Sequence, residues 1–186
     1  MKLLPESPVE FLDPLSRPPE SLYVAGVEGP FVTIVLAGTE RGLVFARRDM
    51  TLEDFSHDLY VEWGIRTIRN DAPLRRWIER YGAYFDGDRG PFGAVLQPFK
   101  ASPFTIEVHR CLTRIPFGAT LSYGDVAAAI GKPGSARAVG NACGKNRTLI
   151  VVPCHRVVAS NGIGGFGAGL HVKKRLLEFE GIGHFL

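Results

Sequence analysis

The chain has 186 residues, 45% of them hydrophobic and 22% charged, and carries a formal net charge of +3. This is the make-up of an ordinary soluble globular protein, long enough for one large domain or two small ones. No apolar run approaches a membrane span, the N-terminus lacks the long apolar segment of a secretory signal, and the three cysteines show no C-x-x-C spacing. A membrane protein, a disulfide framework and a zinc ribbon are thereby excluded, and a reducing, cytoplasmic setting is expected (nuclear in a eukaryote).

The charge is unevenly placed. Residues 1–100 hold 12 Lys and Arg against 15 Asp and Glu, a net of −3, whereas residues 101–186 hold 10 against 4, a net of +6. Between Val108 and Arg175 the only acidic residue is Asp125. A one-sided basic half suits a polyanion, nucleic acid first.

In chain order, the first twenty residues contain five prolines and predict an irregular arm. SLYVAGV, FVTIVLAG and GLVFARR follow as short β-rich runs separated by EGP and TERG, the spacing of antiparallel hairpins. From Thr51 to Phe85 the apolar period lengthens to a helical one, with Leu52, Phe55 and Leu59, then Leu74, Trp77, Ile78 and Tyr81. DGDRGPFG is a turn cluster and AVLQPF one more short strand. A domain boundary is expected near residue 100, giving domains 1–100 and 101–186.

After Pro103, FTIEVHRCLTRI carries a helical stripe of Phe104, Val108, Cys111, Leu112 and Ile115. SYGDVAAAIG predicts a short helix with Ser122 as N-cap, Asp125 three residues on and Gly131 closing it. ARAVGNACG predicts a second, with unusually small exposed positions. Two short helices across a glycine-containing turn, in the basic half, have the form of a helix-turn-helix. IVVPCHRVV then predicts a buried strand, NGIGGFGAG a glycine-rich loop, and LHVKKRLLEFEG a last helix closed by Gly181.

The chemistry concentrates where Cys154, His155 and Arg156 follow Pro153 at the end of an apolar run. A thiolate is a soft nucleophile able to attack saturated carbon, but a free cysteine is only a few per cent ionised at pH 7. The adjacent His and Arg and the basic half are expected to shift Cys154 toward thiolate. That shift yields only a few-fold in rate, because nucleophilicity falls as the pKa falls. Positioning and leaving-group stabilisation must supply the rest. Cys111 and Cys143, in an apolar stripe and a small-residue helix, are expected to be structural.

PCHRVV, preceded by SYGDVAAAIG and ARAVGNACGKN and followed by GGFGAG and KRLLEFEG, resembles the O6-alkylguanine-DNA alkyltransferases over about residues 103–181. The resemblance implies an α/β (α+β) protein: a ribonuclease H-like N-terminal domain and a winged, helix-turn-helix-type C-terminal DNA-binding domain carrying the reactive cysteine. It implies direct repair, in which Cys154 takes the alkyl group from O6-alkylguanine in double-stranded DNA, O6-methylguanine foremost and O4-methylthymine as a further substrate. Each molecule would act once, as a monomer, without cofactor, metal or obligate protein partner. His155 would relay the thiol proton through a water, with Glu180 holding the imidazole. Asn146 would pin the turn before the cysteine, and Tyr123 would hydrogen-bond the extruded base. Arg137 would fill the gap behind it, on a DNA-facing surface with Ser135, Ala136, Ala138, Gly140, Asn141 and Lys145. Leu149, Arg156, Val157, Phe166 and Gly167 would border the substrate pocket, Phe166 standing where many relatives have tyrosine.

Three other readings of the same residues stay open at this level. A non-reactive alkylguanine binder would have the cysteine replaced; a helix-turn-helix regulator would bind one operator sequence; a cysteine hydrolase would turn over through an acyl intermediate.

Overall fold

The computed structural model describes residues 4–90 and 92–183, which form two compact units. One runs from Val9 to Ala101 and takes in Arg147–Leu149; the other comprises the segment ending at Pro8, Ser102–Asn146 and the chain from Ile150 onward. A cut at residue 100 therefore misses two crossings, the arm before Val9 and the three residues after Asn146.

The first unit is built on a six-stranded mixed sheet. Its strands are β1 (Glu10–Phe11), β2 (Ser21–Glu28), β3 (Thr33–Gly38), β4 (Leu43–Arg48), β5 (Arg66–Arg69) and β6 (Val95–Leu96), in the spatial order β1-β6-β4-β3-β2-β5. The three β-rich runs form antiparallel β2, β3 and β4, as their turn spacing predicts. The proline-rich arm is not wholly irregular, because β1 pairs in parallel with β6. Strand β5 interrupts the helical region and pairs in parallel with β2. It separates α1 (Leu52–Trp63) from α2 (Arg75–Phe85). Thr51 caps α1 by accepting from the Asp54 amide, and Gly64 ends it at φ 70°, a left-handed conformation suited to glycine. Phe55 and Leu59, one turn apart on α1, join Leu22, Val24, Val35, Val44 and Phe45 in the core. Arg147–Leu149 is bound into this unit: Ala46 N donates to Arg147 O at 2.7 Å and Leu149 N to Ala46 O at 3.2 Å. The Arg147 guanidinium lies 4.7 Å from the Trp63 ring centre.

The second unit contains α3 (Pro103–Leu112), β7 (Leu121–Ser122), α4 (Tyr123–Ala129), α5 (Ala136–Gly144), β8 (Val157–Val158) and α6 (Leu170–Phe179). Ser102 and Pro103 start α3 in the favoured cap and first-turn positions. Ser122 and Asp125 make a reciprocal capping box on α4. The turn from α4 to α5 holds Gly131 and Gly134 at φ 71° and 88°, which lets two short helices meet within a few residues. Among the described residues no helix is long and apolar enough to cross a membrane.

The IVVPCHRVV segment departs from the expected strand. Cys154–Arg156 is a single 3-10 turn; Val152 makes an isolated bridge and Val157–Val158 pairs in parallel with β7. The cause is Pro153: at φ −81° and ψ 63° it occupies an inverse γ-turn, closed by Cys154 N donating to Val152 O at 2.8 Å. A run of β-branched residues reads as a strand locally, but the turn swings the thiol and the imidazole off the strand direction.

Candidate active site

Proline sets the site. The γ-turn at Pro153 and the 3-10 turn behind it present Cys154, His155 and Arg156 to different surroundings, and all three are buried. Cys154 faces a cavity of about 290 Å3 lined by Tyr123, Gly140, Cys143, Gly144, Gly165, Phe166 and Gly167. That is near the lower end for ligand pockets, a space for one base-sized group.

Asn146 governs the sulfur. Its Nδ2 donates to Cys154 Sγ at 3.1 Å and to Val152 O at 2.7 Å, fixing the turn and offering the thiolate a hydrogen bond. Burial nevertheless raises the Cys154 pKa, against the Asn146 bond and the charge of Lys173, which lower it. The expected shift toward thiolate is thus corrected: in the folded protein desolvation wins, and the resting group is a thiol. A base must remove its proton.

His155 has the arrangement of such a base. It is fully buried, and Nε2 lies 2.8 Å from Glu180 Oε1. Arg156 grips the same carboxylate, Nε to Oε2 at 2.8 Å and Nη2 to Oε1 at 2.9 Å, and Nη1 donates to Ile115 O at 2.6 Å. Burial pushes Glu180 up, but His155 and Arg156 outweigh it and hold the carboxyl well below the usual range. Burial likewise keeps the His155 pKa below 6.5, despite the pull of Glu180. An ionised carboxylate can only accept, so neutral His155 carries its proton on Nε2, leaving a lone pair on Nδ1. Nδ1 is buried and has no hydrogen-bond partner among the described residues. Glu180 also accepts from Gly118 N at 3.3 Å, where Gly118 turns the chain at φ 74°.

Tyr123, the first residue of α4, donates from its hydroxyl to Gly165 O at 3.2 Å. Burial, then the two neighbouring thiols, raise its pKa, so it remains a hydrogen-bond donor. Gly164 is required beside it: at φ 72°, a Cβ there would stand 3.1 Å from the Tyr123 ring and 2.9 Å from Ala159 N.

Helix α5 has two faces. Val139 and Ala142 are buried, while Arg137, Ala138, Asn141, Gly144 and Lys145 are exposed at helical spacing; Ser135, Ala136 and Gly140 are half-buried. Gly140 lines the cavity, and a Cβ there would stand 3.7 Å from the Tyr123 ring. Of the five pocket positions expected from sequence, Phe166 and Gly167 line the cavity. Arg156 is instead the clamp on Glu180, Val157 is wholly buried with its carbonyl on Lys173, and Leu149 belongs to the other unit.

Two residues were not expected here. Cys143 lines the cavity beside Cys154. Lys173 is fully buried, with Nζ donating to Val157 O at 2.6 Å and Gly165 O at 3.2 Å and lying 5.9 Å from the Phe166 ring centre. Burial lowers its pKa to about 8. It thereby ties the glycine-rich loop to β8. Its position on the stripe Val172, Lys173, Leu176 and Leu177 of α6 was the available signal.

Comparison with known proteins identifies the family. Residues 103–182 match the family model of the 6-O-methylguanine DNA methyltransferase DNA-binding domain. Methylated-DNA–protein-cysteine methyltransferase of Mycolicibacterium paratuberculosis is 48% identical over 83% of this chain and 89% of its own length. That of Methanosarcina acetivorans is 35% identical over 86% of this chain and 99% of its own. Among solved structures, the O6-methylguanine methyltransferase of Mycobacterium tuberculosis superposes with a TM-score of 0.71 at 32% identity, covering 89% of this chain and 94% of that one. A Mycobacterium tuberculosis OGT structure in complex with DNA gives 0.70 at 34% identity, covering 86% and 92%. The chain belongs to the methylated-DNA–protein-cysteine methyltransferase family.

Proposed function

We propose that the protein repairs DNA by transferring the alkyl group of O6-alkylguanine, O6-methylguanine foremost, irreversibly to Cys154 Sγ. The observation that carries this reading is one sulfur facing a base-sized cavity, bonded to Asn146, beside a neutral histidine whose free lone pair is backed by a clamped carboxylate.

The reacting carbon lies inside a duplex, so the nucleotide must leave the stack, which is easiest at a damaged pair. The exposed face of α5, with small residues around Arg137, Asn141 and Lys145, lies in the minor groove, and Arg137 fills the space left behind. Phosphate contacts from the basic half give affinity with little sequence preference. In the cavity, Tyr123 donates to the base. His155 Nδ1 takes the thiol proton through a bridging water, and Asn146 stabilises the thiolate as it forms. Sulfur then attacks the alkyl carbon, the carbon–O6 bond breaks, and guanine departs protonated. The product is a thioether, which has no hydrolytic exit, so each molecule serves once. O4-methylthymine is a second substrate on the same chemistry, and the protein acts as a monomer.

The test is Cys154→Ala on duplex DNA bearing O6-methylguanine. It is expected to abolish removal of the methyl group while retaining DNA binding, and residual repair by this variant overturns the assignment.

A further inference from the structure

Cys143 has no part in this alkyl transfer, yet it lines the same cavity as the acceptor Cys154. Asn146 connects the two cysteines directly: its backbone N–H donates to Cys143 O at 3.1 Å and its side-chain amide to Cys154 Sγ at 3.1 Å. Cys143 stands in the last turn of α5, followed at once by Gly144. A helix end yields more readily than a helix centre, and glycine adds freedom there. The third thiol, Cys111, is buried in α3 and does not line the cavity.

We propose that Cys143 and Cys154 form a reversible disulfide when a small hydroperoxide enters the cavity, so that Cys143 guards the single-use sulfur against irreversible oxidation. Cys154, as its thiolate, attacks the terminal oxygen of the hydroperoxide. The O–O bond breaks, the alkoxide or hydroxide takes up the proton, and sulfur becomes a sulfenic acid, oxidised by two electrons. Cys143 sulfur then attacks Cys154 sulfur. The S–O bond breaks, and the hydroxyl leaves as water with the Cys143 proton. Without that second step a sulfenic acid goes on to sulfinic and sulfonic acids, which thiols do not reverse.

The order of events follows from the surroundings. Burial and the neighbouring Cys154 push the Cys143 thiol up to about 12, so Cys143 stays protonated while Cys154 has the Asn146 donor for its anion. Oxidation of Cys154 to the uncharged sulfenic acid removes the like charge that Cys143 faces. Lys173, which favours the anion of either sulfur, remains.

The experiment treats the reduced full-length protein with a slight excess of hydrogen peroxide, without DNA, and reads intact mass and peptide maps before and after dithiothreitol. A loss of two hydrogens is expected, with the Cys143 and Cys154 peptides joined within one molecule and fully separated by the reductant. Cys143→Ser is expected to gain oxygen on Cys154 and to keep it after dithiothreitol; Cys111→Ser is expected to form the same link as the wild type. Oxygen retained on Cys154 of the wild type without loss of hydrogens overturns the proposal, as does a link to Cys111 or between molecules. The wild-type map alone decides the matter if Cys143→Ser does not fold, and no step of the assay depends on alkyl transfer.

Discussion

Arg156 and Glu180 are joined at both carboxylate oxygens, at 2.8 and 2.9 Å, with the carboxylate shut off from solvent. The fixed guanidinium balances the carboxylate charge, so His155 need not be protonated to share it. Glu180→Gln breaks this logic. The amide oxygen must turn to Arg156, which only donates, leaving the amide N–H groups facing His155 Nε2. The imidazole then moves its proton to Nδ1 and loses the lone pair it holds there. The single-turnover rate is expected to fall about 10²- to 10⁴-fold, the usual contribution of a positioned general base. Arg156→Met, by stranding a buried carboxylate, should cost about 3–5 kcal/mol of stability in urea denaturation.

Asn146 supplies the hydrogen bond that favours the Cys154 anion. Asn146→Ala is expected to slow alkyl transfer about 10- to 100-fold near pH 7, matching a hydrogen bond to a charged group of about 1.5–3 kcal/mol. Single-turnover rates on duplex DNA bearing O6-methylguanine check this, and a loss below about twofold would show that Asn146 does not stabilise the anion.

Two buried histidines set an acid limit on stability. His155 and His109, whose Nε2 lies 2.9 Å from Ala142 O at the end of α5, both have pKa values lowered chiefly by burial. The unfolded chain binds protons near pH 6.5 that the folded chain refuses, so stability must fall as pH drops below about 6.5, by up to about 1.4 kcal/mol per unit for each group. Glu180, depressed in the fold, adds a second loss below about pH 4.5. His109→Gln keeps a donor to Ala142 O but cannot titrate. Urea midpoints for this variant should show a visibly shallower decline between about pH 6.5 and 5.

Arg137 stands on the exposed face of α5 and does not line the cavity. Arg137→Ala should therefore lower the repair rate on duplex DNA far more than the reaction with a free alkylated base. Equal losses on both substrates would reject a role in extrusion.

Where structure depended on local chemistry, the sequence was informative. The Ser122–Asp125 box, Gly131 and the small residues of ARAVGNACG mark α4, the turn and α5 by local signals. The reading of IVVPCHRVV failed because β-branched composition outweighed one proline whose γ-turn redirects the chain. Strand β5 was hidden because Arg66–Arg69 is mostly exposed and gains its place only by pairing with β2. The crossing at Arg147–Leu149 is fixed by partners far away in the chain, such as Ala46 and Trp63. Lys173 was overlooked because paired lysines resemble a solvated face, and the neutral state of Cys154 because charge neighbours are legible in a sequence but desolvation is not.

The measurement that bears most directly on the reaction is intact-mass spectrometry of the wild-type protein after incubation with excess duplex containing O6-methylguanine. One added methyl group per molecule, mapped to the Cys154 peptide and unchanged by long incubation or hydroxylamine, is the predicted result. Continued demethylation beyond one equivalent, or a methyl group on any other residue, would contradict it.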